Sequence, residues 1–92
     1  MPEEYISKTI KCSDVDSNGC VHPSLPNPLN GDLIFECSSN CTIKVCDPDF
    51  HIYGTLTVGA NCHVIFTGNL TVVGTVTGEP EIQGSYSLEP DN

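Results

Sequence analysis

Ninety-two residues carrying a net charge of −9, with three Lys and no Arg, make one small acidic domain. That balance excludes nucleic acid as a partner, because phosphate recognition draws on clustered Lys and Arg. So short a chain buries too little surface to be comfortably stable unaided, and its six cysteines are expected to supply disulfide staples, which persist in oxidising compartments.

The N-terminal part, residues 1–31, reads as an extended arm followed by a proline-rich connector. Met1-Pro2-Glu3-Glu4 opens acidic, unlike a secretory signal. Export is therefore expected either after loss of a leader or by another route, for instance within a virion. No apolar run is long enough to span a bilayer. Tyr5, Ser7, Thr9 and Lys11 alternate with Ile6, Lys8 and Ile10, a weak period-two pattern. Asp14-Val15-Asp16-Ser17-Asn18-Gly19 is a turn. The oxygen ligands at Asp14, Asp16 and Asn18, followed by Gly19, match the opening of a calcium loop. Its twelfth position is Leu25 rather than Glu, leaving Asp32 as the nearest remote carboxylate. A solvated Asx turn is the competing reading. The connector His22-Pro23-Ser24-Leu25-Pro26-Asn27-Pro28 cannot donate ladder hydrogen bonds at its prolines.

Residues 32–78 repeat. Cys20, Cys41 and Cys62 stand at equal steps of 21 residues, and Asn40-Cys41-Thr42-Ile43-Lys44-Val45 aligns with Asn61-Cys62-His63-Val64-Ile65-Phe66. The same offset sets Leu33-Ile34-Phe35-Glu36-Cys37 on Gly54-Thr55-Leu56-Thr57-Val58, and one residue fewer sets Tyr53-Gly54-Thr55-Leu56-Thr57 on Val73-Gly74-Thr75-Val76-Thr77. A repeat of this length, rich in β-branched residues and Gly, predicts an all-β chain: a disulfide-stapled parallel β-solenoid of two to three rungs. An antiparallel β-sandwich is the alternative, because alternation alone does not set strand direction.

Alternation also assigns the inward side chains. They are Phe35, Cys37, Cys41, Ile43 and Val45; then Phe50, Ile52, Leu56 and Val58; then Cys62, Val64, Phe66, Leu70, Val72 and Val76. Ser38-Ser39-Asn40, Asp47-Pro48-Asp49, Gly59-Ala60-Asn61 and Gly68-Asn69 mark the corners. Gly-Thr-Leu-Thr-Val-Gly (54–59) and Gly-Thr-Val-Thr-Gly (74–78) resemble the repeats of short parallel β-helices found in bactofilins and surface adhesins. The resemblance covers about half of the chain and implies that fold. Residues 79–92 form an acidic tail broken by Pro80 and Pro90.

Candidate chemistry follows from this layout. Stacked rungs lie about 4.8 Å apart, which suits a disulfide. Joining sequence neighbours across turns gives Cys12–Cys20, Cys37–Cys41 and Cys46–Cys62. The rival is a metal cluster of Cys41, Cys46, Cys62, His51 and His63, whose spacing matches no usual zinc pattern. Asn40-Cys41-Thr42 and Asn69-Leu70-Thr71 are N-glycosylation sequons at corners. Thr55, Thr57, Thr75 and Thr77 are expected to stack outward on adjacent rungs, similar to the Thr ranks of insect-type ice-binding solenoids. Ile34 and Glu36 are expected to interrupt the rank below them.

Catalysis has little support. Cys62-His63 and Asp49-x-His51 supply the residue types for a nucleophile and a base, but neighbours on a strand face opposite ways. From Phe50 to Gly78 there is no Asp, Glu, Lys or Arg, although charge is what keeps β edges from pairing with neighbouring molecules. The expected function is therefore a non-enzymatic structural subunit of an extracellular or viral assembly, at a cell or virion surface, self-associating into a fibre. Its partners would be other copies of itself. The alternatives are a glycan- or ice-binding module using the Thr face, and a small calcium- or zinc-dependent domain. No cofactor is expected unless the Asp14 turn holds calcium.

Overall fold

The computed structural model describes residues 5–21 and 25–89. The first four residues, the His22-Pro23-Ser24 part of the connector, and the tail from Pro90 onward lie outside the described residues. Nine strands follow one another: β1 (Lys8–Lys11), β2 (Leu29–Asn30), β3 (Leu33–Glu36), β4 (Cys41–Val45), β5 (Asp49–Val58), β6 (Cys62–Phe66), β7 (Asn69–Thr77), β8 (Glu81–Ile82) and β9 (Tyr86–Glu89). Apart from a single 3-10 turn at Cys12–Asp14, the described residues contain no helix.

Every strand pairs in parallel with the strand one winding away, giving about three turns of a β-solenoid. The antiparallel sandwich is thereby excluded. One sheet runs β1-β3-β5-β7-β9 with β2 also on β5, and the other runs β4-β6-β8. Strand β5 takes two consecutive partners: β2 at Ile52 and Tyr53, then β3 from Leu56 to Val58. The change falls at Gly54, which stacks on Gly74 above it. A Cβ at Gly74 would lie 2.0 Å from the Gly54 carbonyl oxygen, and one at Gly54 would lie 2.2 Å from that of Gly31. The backbones of successive windings meet at this corner too closely for any side chain.

Alternation predicts the interior well. Phe35, Phe50, Ile52, Leu56, Val64 and Val72 are completely buried, as is Ile43. The rings of Phe35 and Phe66 meet edge to face at 6.4 Å, and Phe50 and Phe66 lie 6.2 Å apart. Such pairs add about 0.5–1.5 kcal/mol each beyond the area they bury.

Two expectations are corrected. Leu33 pairs with Leu56, not Gly54, so β3 sits two residues from the register read off the repeat. A shift of two leaves every side chain on its own face, which is why the inward set survives. The second concerns the ends. Segment 1–31, read as arm and connector, contributes β1, with Ile10 buried, and β2, with Leu29 buried. The tail contributes β8 and β9, which pair with β6 and β7.

The two ends differ. At the N-terminal end Ile10 is 7% exposed, and Val15, Val21 and Leu25 pack against the core. At the C-terminal end Tyr86 and Leu88 stand in register with the core residues Leu70 and Val72, yet remain 45% and 50% exposed.

Candidate functional site: stapled corner, threonine face and open ends

The cysteines sit at two corners, Cys12, Cys37, Cys41 and Cys62 where β4 and β6 begin and Cys20 with Cys46 at the far end of β4. They pair Cys12–Cys41, Cys20–Cys46 and Cys37–Cys62, with Cα separations of 6.0, 5.7 and 5.4 Å. All lie within the usual range of roughly 4.4–6.8 Å. The three neighbour pairings inferred from sequence are wrong, because each bridge runs to the adjacent winding rather than across a turn. Cys12 follows β1 and Cys37 follows β3, while Cys41 and Cys62 open β4 and β6. The Cys12–Cys41 and Cys37–Cys62 bridges therefore repeat one diagonal step, a winding apart. Cys41 and Cys62 are register partners in their sheet but bond to other cysteines. No described cysteine is free, so none serves as a metal ligand or a nucleophile. Among the described residues no group of three or more His, Cys, Asp or Glu is placed to hold a metal ion.

The acidic turn is occupied by its own backbone. Asp16 Oδ1 accepts the N–H of Asn18 at 2.8 Å and of Cys20 at 3.1 Å, while Asp14 Oδ2 accepts the Lys11 N–H at 2.8 Å. That is the Asx-turn geometry in which a short carboxylate stands in for a backbone carbonyl. Asp32, the remote carboxylate, faces elsewhere. It accepts a hydrogen bond from the Tyr5 hydroxyl and another, at 2.9 Å, from the Thr55 N–H. The Tyr5 bond first, and the Thr55 bond second, hold its carboxyl below the usual carboxylate value. Asp32 thereby ties the segment before β1 to the middle of β5, a link that sequence spacing does not announce.

The threonine face forms as expected: Thr55 pairs with Thr75 and Thr57 with Thr77. Below Thr57 the column passes through Ile34 and Thr9. Asp32, rather than Ile34, lies beneath Thr55, so the four threonines stand as an isolated square. Asn40 is exposed in its corner. Asn69 is exposed too, but its Oδ1 accepts the Ser85 N–H at 2.9 Å and so shapes the last corner. The two described histidines face nearby carboxylates, His51 Nε2 at 3.4 Å from Asp49 Oδ1 and His63 Nε2 at 3.0 Å from Glu81 Oε1. Both pairs are solvent-exposed, where such contacts are worth little.

Sequence reading expects an open last rung but not the strands that form the ends, which come from the arm and the tail. Strands β1 and β9 are the outermost members of the larger sheet, each with one unpaired edge among the described residues. The signal was present: Tyr86-Ser87-Leu88-Glu89 alternates apolar and polar like any strand, but acidic neighbours and flanking prolines mask it.

Comparison with models of known families, with curated protein sequences and with solved structures returned no match, so the likeness to adhesin and bactofilin repeats stands at the level of the fold.

Proposed function

We propose that this protein is a non-enzymatic structural subunit that associates with copies of itself into a fibre at an extracellular, cell or virion surface. The observation that carries this reading is the pair of open edges on a parallel sheet. An edge strand presents a row of unsatisfied N–H and C=O groups and is a template for another chain. Most globular proteins blunt such edges with charge, whereas the half of β7 from Gly74 to Thr77, which no described strand covers, has none. The cysteines, all bridged where described, favour an oxidising compartment, and no helix among the described residues is long and apolar enough to cross a membrane. Glycans on Asn40 and Asn69 would sit at corners, the second beside the last winding. Sedimentation velocity across a concentration series in native buffer tests the reading. Mass growing with concentration is expected, and a stable monomer at every concentration rejects it.

A second reading follows from the in-register Thr square. A flat rank of hydroxyls and methyls at β spacing would suit the face of a glycan or of ice. Replacing Thr55 and Thr75 by Lys would abolish such binding without unfolding the domain, and binding that survives removes this reading.

A further inference from the structure

We infer that the copies join head to tail: the open C-terminal end of one molecule seats on the β1 end of the next. The inference rests on the self-association proposed above and names the surfaces that carry it.

Apolar exposure comes first. Five large hydrophobic side chains are exposed among the described residues: Tyr5, Ile6, Tyr53, Tyr86 and Leu88. Four of them lie at the two ends of the stack. Ile6 donates its N–H to the Asn30 carbonyl beneath β2, while Tyr86 and Leu88 belong to β9. Side chains left exposed at the ends rather than along the faces mark ends that are to be covered.

The shapes of the ends agree. Strand β9 pairs with Leu70 to Val73 of β7, so the half of β7 from Gly74 to Thr77 has no strand above it among the described residues. Strand β1 belongs to the column of that uncovered half, because Lys8 pairs with Leu33, Leu33 with Leu56 and Leu56 with Val76. A second molecule continuing the ladder would therefore lay its β1 into the notch beside β9, with its Lys8 over Val76. One end has a step up where the other has a step down.

Charge selects this joint over its competitor. Two of the three lysines, Lys8 and Lys11, are on β1, Lys8 in the apolar column of Leu33 and Leu56 and Lys11 in the column that meets Glu79, while Glu79, Glu81 and Glu89 lie toward the opposite end. Asp14 and Asp16, beyond the end of β1, keep their charge but are folded back onto their own turn by hydrogen bonds to backbone N–H groups. Lys11 already faces Glu36 across the β1–β3 ladder, and continuing the same columns brings Lys11 of the second copy opposite Glu79. Opposite charges directly across a ladder are favourable and like charges are not. A symmetric contact between two C-terminal ends would bring two acidic ends together. A head-to-tail contact of this kind does not close on itself, so it propagates as a filament.

Two charge-reversed variants test the joint, Lys8→Glu/Lys11→Glu at one end and Glu79→Lys/Glu81→Lys at the other, with folding checked by circular dichroism and a count of free thiols. Each variant alone is expected to dissociate at least tenfold more readily than the parent chain, and an equimolar mixture of the two is expected to recover association. If the parent assembles and both variants assemble equally well, the head-to-tail joint is wrong while self-association stands. If the parent is a monomer, both fail. Should a charge variant lose its fold, Leu88→Lys blocks the C-terminal end at a side chain already half in solvent. Loss of assembly in Leu88→Lys together with normal assembly in Lys8→Glu/Lys11→Glu would overturn the joint in favour of paired C-terminal ends.

Discussion

Removing the Cys37–Cys62 bridge by changing both residues to Ala tests the stacked geometry directly. The bridge closes a loop with a sequence separation of 25. In the chain-entropy form, opening that loop returns about 12 cal/mol/K to the unfolded chain, or about 3.5 kcal/mol at 25 °C. A domain of this size has a total stability of roughly 5–15 kcal/mol. At about 4–8 °C per kcal/mol, melting in non-reducing buffer is expected to fall by roughly 14–28 °C, read by circular dichroism or calorimetry. A thiol titration of the unfolded variant makes the test sharper. With the observed pairing, Cys12–Cys41 and Cys20–Cys46 remain closed and no thiol reacts. Pairing between sequence neighbours would instead strand Cys41 and Cys46, and two thiols would react. Two reactive thiols, or a change in melting under about 5 °C, would refute the winding-to-winding staples.

Three further outcomes are expected. Gly74→Ala, which places a Cβ 2.0 Å from the Gly54 oxygen at φ +146°, should cost at least about 2 kcal/mol in urea denaturation; Gly19→Ala, at φ +83° but in open space, should cost only about 1 kcal/mol, and equal costs would contradict the close backbone approach. Because Asp32 titrates below its ordinary 3.8 in the folded protein, its contribution to stability is present above the unfolded value and is lost as pH falls through the folded one; Tyr5→Phe should raise the Asp32 titration seen by carboxyl NMR and lower stability at neutral pH, with the two proteins converging in acid, and an unmoved titration would show that the Tyr5 hydroxyl does not hold the carboxylate. Chelation should leave melting unchanged, since the Asp16 carboxylate is satisfied by Asn18 and Cys20, whereas a drop of several degrees would return calcium to the Asp14 turn.

How far the interior could be read from sequence depends on its parity. A strand exposes alternate residues to opposite faces, so Phe35, Ile43, Phe50, Val64 and Phe66 declare themselves inward without any knowledge of their neighbours. Registers resolve themselves where windings are of equal length, as with Cys41 over Cys62 and Thr55 over Thr75. They fail where windings differ. The corner from Phe35 to Cys41 is two residues longer than the corner from Val58 to Cys62 in the next winding, so a constant offset misplaces Leu33 by two residues. The end strands were obscured for a different reason. Lys8, Glu81 and Glu89 give β1, β8 and β9 the composition of solvated segments, and only pairing with an adjacent winding reveals them as strands.

What local sequence determined by itself was the winding repeat, the inward face, the corners at Gly59 and Gly68 and the Thr square, because each arises from period-two alternation and a near-constant winding length; the parallel direction of the strands it left open against an antiparallel sandwich. What only the tertiary structure decided was the cysteine pairing, the Asp32 link to Tyr5, and which strands form the two open ends. Those depend on which residues of adjacent windings meet at a corner. That meeting is set by the summed length of all the intervening loops, a quantity no single stretch of the chain contains.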